Sequence, residues 1–402
     1  MKKISLTTQM LLALVAGCIC GLLVPHLGIE PSYFKPLGDI FINLIKMLVV
    51  PLVFATLVAG AAAVGDVSRL GKIAVKSLIY YTVTTVFAVS IGLIVANILQ
   101  PGSGVSINQA ATDAISVNPP SLLSVFMGII PTNPVKSMTD GNMLQIIFFA
   151  VFFGVAVSSL GSKHNHIHQF FDSFAEAMLK LTSMVMMYAP IGVFGLLTFT
   201  VGTYGAEVLL PLLKLILVMF VACIIHICII YIPCIKYSGV PLKKFFSELT
   251  STILVAFSSA SSAAALSSNL QTVQRLGASR PVSSFLIPLG NTINMDGTAI
   301  YMGVCSIFAA TFFGIDLTFD KQIMIIIIAM LASIGTMGVP GAGMIMISMV
   351  FTQVGIPLEA IALIAGIDRI LDMMRTTLNV LGDATGALTV SKAENDIHPM
   401  QD

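Results

Sequence analysis

DRILDMMRTTLNVLGD, residues 368–383, sets five charges into a segment that otherwise reads as a hydrophobic helix. At 100° per residue, with Asp368 as zero, Asp372 falls at about 40°, Arg375 at about −20° and Thr376 at about 80°. Asn379 follows at about 20° and Asp383 at about 60°. Six polar groups therefore share a stripe about 100° wide and about 22 Å long, while Ile370, Leu371, Met374 and Leu378 lie mostly elsewhere. Inserting the five charges at the centre of a bilayer costs roughly 12–17 kcal/mol before partners are counted. A stripe of that length has to face a polar interior. Two readings follow: a structural ion-pair cluster, in which Asp372 and Arg375 offset one another, or the lining of a functional site, the default for ionisable residues inside a span.

The rest of the chain establishes that a membrane is the right frame. Of 402 residues, 56% are hydrophobic and 10% charged, and the mean hydropathy is +0.97, whereas soluble proteins carry about 25% charged residues. Long apolar runs recur along the whole length, which predicts an all-α polytopic membrane protein. A net charge of +1 with no basic stripe excludes a nucleic-acid partner. Cys18, Cys20, Cys223, Cys228, Cys234 and Cys305 all lie in apolar runs, the ordinary setting of small buried hydrophobes rather than of a disulfide framework. Lys2 and Lys3 precede an apolar run ending in LVAGC, residues 14–18. That run resembles a lipoprotein cleavage box, but reads better as a first transmembrane helix.

Apolar runs place spans near 9–27, 38–64, 74–99, 121–160 (broken), 170–201 and 207–235. Basic residues fall in alternate loops: Lys2 and Lys3; Arg69, Lys72 and Lys76; Lys163; Lys236, Lys243 and Lys244; Arg275 and Arg280. The excess of lysine and arginine marks those loops, and the amino terminus with them, as cytoplasmic.

The last third interrupts this pattern three times: FSSASSAAALSS at 257–268, NTINMDGT at 291–298 and GTMGVPGAG at 335–343. Irregular backbone at membrane depth is tolerated only where protein or a water-filled cavity surrounds it. The glycine- and serine-rich breaks read as the tips of two re-entrant helical hairpins entering from opposite sides, which points to a midplane site between inverted repeats. Kinked helices packed through small residues are the alternative.

The stripe also suggests a ligand. Arg375 presents a planar fork suited to a carboxylate, Asp372 suits an ammonium, and Thr376 and Asn379 add neutral hydrogen-bonding groups. Asp296 and Asp383 have no basic partner evident in sequence, so each is expected to face a cation. Oxygen-only sets of Asp, Asn, Thr, Ser and backbone carbonyls suit hard metal ions. A zwitterion with an extra carboxylate, travelling with Na⁺, satisfies all of these.

SSASSAAAL, NMDGT at 294–298, GTMGVPGAG and D-x-x-x-D-x-x-R-T-x-x-N-x-x-G-D from Asp368 together resemble the dicarboxylate/amino acid:cation symporter family, which includes excitatory amino-acid transporters. Their order and spacing agree across residues 250–392. The resemblance implies eight transmembrane helices plus two hairpins, with a scaffold of residues 1–72 and 101–205. The implied transport domain is residues 73–100 and 206–392 (sixth span, first hairpin, seventh span, second hairpin, eighth span), followed by a cytoplasmic tail, 393–402. It implies that Arg375 binds the substrate side-chain carboxylate, assisted by Thr298, and that Asp372 holds the α-amino group. Asn379 would meet the α-carboxylate beside Ser262 and Ser261 at the first tip, with Thr376, Gly338, Val339 and Gly343 completing the set. One sodium site would use Gly290, Asn294, Asn379 and Asp383. A second would use Thr292, Met295, Ser333, Ile334 and Thr336, and a third Tyr81, Thr84, Thr85, Asn294 and Asp296. A homotrimer moving as elevators in a bacterial or archaeal plasma (inner) membrane, in contact with its lipid, is also implied.

Retention of both Arg375 and Asp372 favours aspartate or glutamate over succinate-like dicarboxylates or neutral amino acids. Many prokaryotic relatives carry an arginine at the first tip where this chain has Ala260, and Arg369 offers a basic group from the last helix instead. With that reshaping, cystine or another amino acid is an alternative substrate. The tip also carries Ser267 where a proline is common. Met302 stands where proton-coupled relatives place a glutamate, which favours sodium over protons, proton coupling being the alternative. KHNHIHQ, 163–169, reads as a solvated loop rather than a metal site, and Cys223, His226 and Cys234 as packing residues. GTMGVPGAG lacks the Gly-Lys-Ser/Thr of a phosphate loop. An intramembrane aspartyl protease built on Asp296 and Asp383 leaves the Arg375 stripe unexplained, and a channel remains the other rival. The expectation is a transporter, not an enzyme.

Overall fold

The computed structural model describes residues 6–64, 72–103, 130–160, 165–333 and 342–398. Among them the regular structure is helical, with one isolated antiparallel bridge, Ala278 to Ile397, and no named strand. In chain order the helices are α1 (Leu6–Leu23), α2 (Lys35–Val64), α3 (Lys72–Leu99), α4 (Pro134–Asp140), α5 (Met143–Ser159) and α6 (Asn165–Tyr204). They continue as α7 (Leu209–His226), α8 (Ile232–Ser238), α9 (Leu242–Ser259), α10 (Ser262–Arg275) and α11 (Arg280–Ile293). The last four are α12 (Asp296–Phe312), α13 (Phe319–Ser333), α14 (Ala342–Val354) and α15 (Ala360–Ala393).

Five helical stretches, Pro31–Ala59, Val75–Leu99, His166–Tyr204, Ala206–Ser238 and Arg280–Phe312, are long and apolar enough to cross a membrane. Their outer faces support that setting. On α7, Leu210, Leu213, Leu217, Phe220 and Ile224 are exposed, a single stripe at helical spacing. Such a stripe is costly in water and at home in hydrocarbon.

Packing sorts the helices into two groups. α1 lies along α6, and α2 runs between α6 and α5. Separately, α3 packs on α12 and α7, and α15 packs against α9, α10, α11 and α12. The groups meet where α15 touches α6 and α1, and where α14 touches α2. α12 is buried at nearly every position from Asp296 to Phe312, as a helix apolar on all sides must be.

Two of the three sequence interruptions fall within the described residues. α9 and α10 form a helical hairpin: Ala260 turns the chain in the left-handed region at φ 48°, and Ser261 caps the next helix through Ala264 N at 3.4 Å. Thr252 Oγ1 on one leg meets Ser268 Oγ on the other at 2.7 Å. Between α11 and α12 the helix breaks at Asn294–Met295, where ψ swings to 95° and 51°. The Gly-Val-Pro-Gly break lies outside the described residues, flanked by α13 and α14, which pack together.

Past α15 the tail folds back. Lys76 Nζ pairs with Glu394 at 2.6 Å, and His398 N donates to Gly277 O at 2.8 Å. Residues 394–398 are thus docked on α3 and the α10–α11 connection. His166 and His168, expected in a loop, stand instead in the first turn of α6, with His168 Nδ1 3.0 Å from Asp172. His164 lies outside the described residues.

Candidate functional site

α15 has 34 residues and carries the polar stripe on the face turned into its own group. Asp368, Arg369, Asp372, Arg375, Thr376, Asn379 and Asp383 are each at most 8% exposed. Arg375 organises the upper half. Its Nη2 donates to Asp372 Oδ1 at 2.7 Å, and its guanidinium lies 4.8 Å from the ring centroid of Tyr301. Its Nη1 is 3.7 Å from Asp368 Oδ1, too far for a hydrogen bond, and has no other partner. Tyr301 Oη donates to Asp368 Oδ1 at 2.8 Å, and Thr376 Oγ1 to Asp372 Oδ1 at 3.3 Å. Sequence reasoning missed Tyr301, whose place opposite Asp368 depends on how α12 crosses α15.

Arg369 reaches the first hairpin from the last helix. Its Nη2 donates to Ser259 O at 3.1 Å, its Nη1 lies 3.9 Å from Asp372 Oδ2, and its Nε is buried with no hydrogen-bond partner. Two aspartates and two arginines thus share a buried, formally neutral cluster beside the hairpin tip. Ser262 Oγ, at that tip, is likewise buried without a partner.

Close approaches shape this cluster. A Cβ on Gly343 of α14 would overlap Arg375 Nη1, and one on Gly297 of α12 would overlap the Arg375 backbone oxygen. Glycine at 297 lets α12 and α15 touch backbone to backbone, and glycine at 343 leaves room for the guanidinium. Thr298 Oγ1 is buried and lies 3.5 Å from Met295 Sδ. Asn379 Oδ1 accepts from Gly297 N at 2.8 Å, so it satisfies a free donor at the start of α12. Gly338, Val339, Ile334 and Thr336 lie outside the described residues, and Ser333 ends α13.

Below the charged cluster are the oxygen-rich groups. Asn294 Nδ2 donates to Asp383 Oδ1 at 2.9 Å, leaving Asn294 Oδ1 buried without a partner. Gly290 faces the same carboxylate so closely that a Cβ would overlap Asp383 Oδ1 and come 2.5 Å from Tyr81 Oη. Tyr81 Oη itself donates to Leu286 O at 2.8 Å. An orphaned amide oxygen beside a buried carboxylate suits a small hard cation. Thr292 Oγ1 turns back to Leu289 O at 2.8 Å, and Met295 is buried.

Asp296 corrects the expectation that it lacks a basic partner. Thr84 and Thr85 donate to its Oδ1 at 3.2 and 3.0 Å, Tyr231 Oη to its Oδ2 at 2.7 Å, and His226 Nε2 lies 3.3 Å from Oδ2. His226, read as a packing residue, is therefore a polar partner as well as a fully buried one. Its sequence distance of 70 residues from Asp296 gave no signal. Among the described residues, no group of three or more His, Cys, Asp or Glu could hold a metal ion.

A buried cluster of paired charges at a helical hairpin tip, inside a bundle with lipid-compatible outer faces, is the arrangement a polytopic membrane transporter of small polar solutes requires. Comparison with known proteins makes the assignment specific. The chain belongs to the sodium:dicarboxylate symporter family, whose model matches residues 6–393. It is 39% identical over 402 residues to the proton/sodium-glutamate symport protein of Geobacillus stearothermophilus, covering 98% of this chain and 96% of that one. It is 38% identical over 409 residues to the proton/glutamate-aspartate symporter of Escherichia coli (strain K12), covering 98% and 94%. The C4-dicarboxylate transport protein of Rhizobium leguminosarum is 34% identical over 404 residues, covering 98% and 90%.

Proposed function

We propose that this protein is a sodium-coupled symporter of acidic amino acids, aspartate or glutamate, in a bacterial or archaeal plasma membrane, with its amino terminus cytoplasmic. The observation that carries the reading is the pairing of Arg375 with Asp372 at 2.7 Å while Arg375 Nη1 stays without a hydrogen bond. An acidic amino acid exchanges this one internal pair for two: Arg375 takes the side-chain carboxylate, and Asp372 takes the α-ammonium. A C4 dicarboxylate carries no ammonium, so drawing Arg375 away would cost Asp372 its charge-assisted hydrogen bond from Arg375 Nη2 and give it none in return. This separates the substrates in the names of the Geobacillus and Rhizobium relatives.

Asn379 and Ser262 would receive the α-carboxylate, with Thr298, Thr376, Ser261, Gly338, Val339 and Gly343 around it. Sodium, as co-transported cargo, would be held by Gly290, Asn294, Asn379 and Asp383. Thr292, Met295, Ser333, Ile334 and Thr336 would form a second site, and Tyr81, Thr84, Thr85, Asn294 and Asp296 a third. The orphaned Asn294 Oδ1 supports the first. Residues 1–72 and 101–205 would form a fixed scaffold of a homotrimer, and residues 73–100 and 206–392 the moving domain. That domain would hold two opposed hairpins and, with the scaffold, complete eight spans. The two packing groups support this division.

A second reading, coupling to protons beside or in place of sodium, draws on the names of the Geobacillus and Escherichia relatives. Uptake of radiolabelled aspartate into proteoliposomes separates the two. Concentrative uptake under an inward sodium gradient at equal pH is the expected result. Uptake driven only by a pH gradient selects proton coupling, and downhill flux under every gradient selects a channel.

A further inference from the structure

The transmembrane stretch Ala206–Ser238 is not α-helical throughout. At Ile227–Tyr231 it widens into a π turn, in which Ile232 N donates to Ile227 O, five residues back. On an α-helix, residues five apart point about 140° away from each other. The wider turn brings His226 and Tyr231, which are five apart, onto one face, and their rings meet edge to face at 4.7 Å. Both then reach the same atom, Asp296 Oδ2, at 3.3 and 2.7 Å. Tyr231 Oη also lies 3.3 Å from Leu378 O on α15, which fixes its ring from the other side. π turns inside α-helices occur frequently at functional sites. Here the turn has a definite geometric effect, because without it one of the two side chains would point away from Asp296.

We infer that the π turn is a positioning device for the cation site at Asp296: His226 and Tyr231 hold Oδ2, fix the plane of the carboxylate, and turn Oδ1 alone toward Thr84 and Thr85. The inference rests on the sodium-coupled reading above. Neither residue ligates the cation; both act through Asp296. A free carboxylate rotates and can swing its second oxygen into the site, whereas one with Oδ2 pinned by two donors presents a single oxygen in a constant direction. Thr84 and Thr85, on α3, meet that oxygen at 3.2 and 3.0 Å, so the turn on one helix sets the donor geometry offered to another.

The test measures aspartate uptake into proteoliposomes as a function of sodium concentration, at fixed pH, for the intact protein and three variants. Tyr231→Phe removes only the hydroxyl, His226→Leu removes the ring nitrogens, and His226→Gln keeps an N–H donor. Loss of a hydrogen bond to a charged group predicts that Tyr231→Phe and His226→Leu raise the half-saturating sodium concentration about tenfold. The aspartate KM at saturating sodium should stay within about twofold, since the substrate groups on α15 are untouched. His226→Gln should recover most of the sodium response lost in His226→Leu. Should His226→Leu fail to fold, Tyr231→Phe decides alone. Unchanged sodium dependence in the variants that fold, or a KM at saturating sodium that rises in step with it, overturns the positioning role. If the intact protein takes up aspartate without any response to sodium, the sodium-coupled reading itself fails, which is a different result.

Discussion

In the proposed reading Arg375 is the residue on which substrate choice turns, and two glycines near it allow a sharp test. A Cβ at 343 meets the far end of a flexible side chain, and a Cβ at 297 meets backbone. Gly343→Ala should therefore fold and push the guanidinium out of place, whereas Gly297→Ala has nothing that can yield and should destabilise by about 1–3 kcal/mol. The expected pattern is that Gly343→Ala behaves like Arg375→Cys. Both should lose affinity for aspartate and glutamate by about tenfold or more, as for loss of a charge-assisted hydrogen bond, with serine competition almost unchanged. Competition against labelled aspartate measures this, and the thermal midpoint of Gly297→Ala measures the other. Equal losses for acidic and neutral amino acids would mean that Arg375 does not read the side-chain carboxylate. The stripe itself was legible in sequence, because helical periodicity alone puts Asp368, Asp372, Arg375, Asn379 and Asp383 on one face. Tyr301 and His226 were not, since their contacts with Asp368 and Asp296 span 67 and 70 residues and depend on how helices cross.

At the scale of elements, the serine-rich break at 257–268 was readable as a hairpin because small polar residues cannot continue a lipid-facing helix. Arg369, offered by the sequence as a basic group in place of an arginine at that tip, does reach it from the last helix: it donates to Ser259 O at 3.1 Å and lies 3.9 Å from Asp372. The π turn at Ile227–Tyr231 left no mark in the sequence, since ICIIY has the composition of any apolar span. Arg369 thus ties the first hairpin tip to the last helix, next to Ala260 in its left-handed conformation. A non-glycine residue held there costs about 1–2 kcal/mol, which surrounding contacts must offset. Arg369→Ala should therefore loosen the tip. Faster amide hydrogen exchange is expected across residues 256–262, while exchange in α15 below Asn379 stays as it was. Unaltered exchange at the tip would show that the arginine is not what holds it.

Among the described residues the helices fall into two groups that touch along a seam, chiefly with α15 against α6 and α1, and α14 against α2. In the proposed reading, moving an acidic amino acid and its sodium ions across the bilayer requires this seam to slip if one group carries the site and the other stays fixed. The driving term is ample, since each unit charge moved through 100 mV is worth about 2.3 kcal/mol. Gly366 on α15 gives a place to stop the motion. A Cβ built there would lie 2.9 Å from Leu197 Cδ2 on α6, so shortening Leu197 to cysteine releases the space that a cysteine at 366 needs. The pair Leu197→Cys and Gly366→Cys, made with the six native cysteines replaced, should be bridged by mercury across the seam. Bridging is expected to abolish aspartate uptake and to leave equilibrium aspartate binding in detergent within about threefold, because the described residues of the proposed site all belong to one group. Removal of mercury by a dithiol should restore transport. Full uptake with the bridge completely formed would mean that the two groups travel together, and that alternating access arises within the α15 group, at its hairpins, rather than by sliding along the seam.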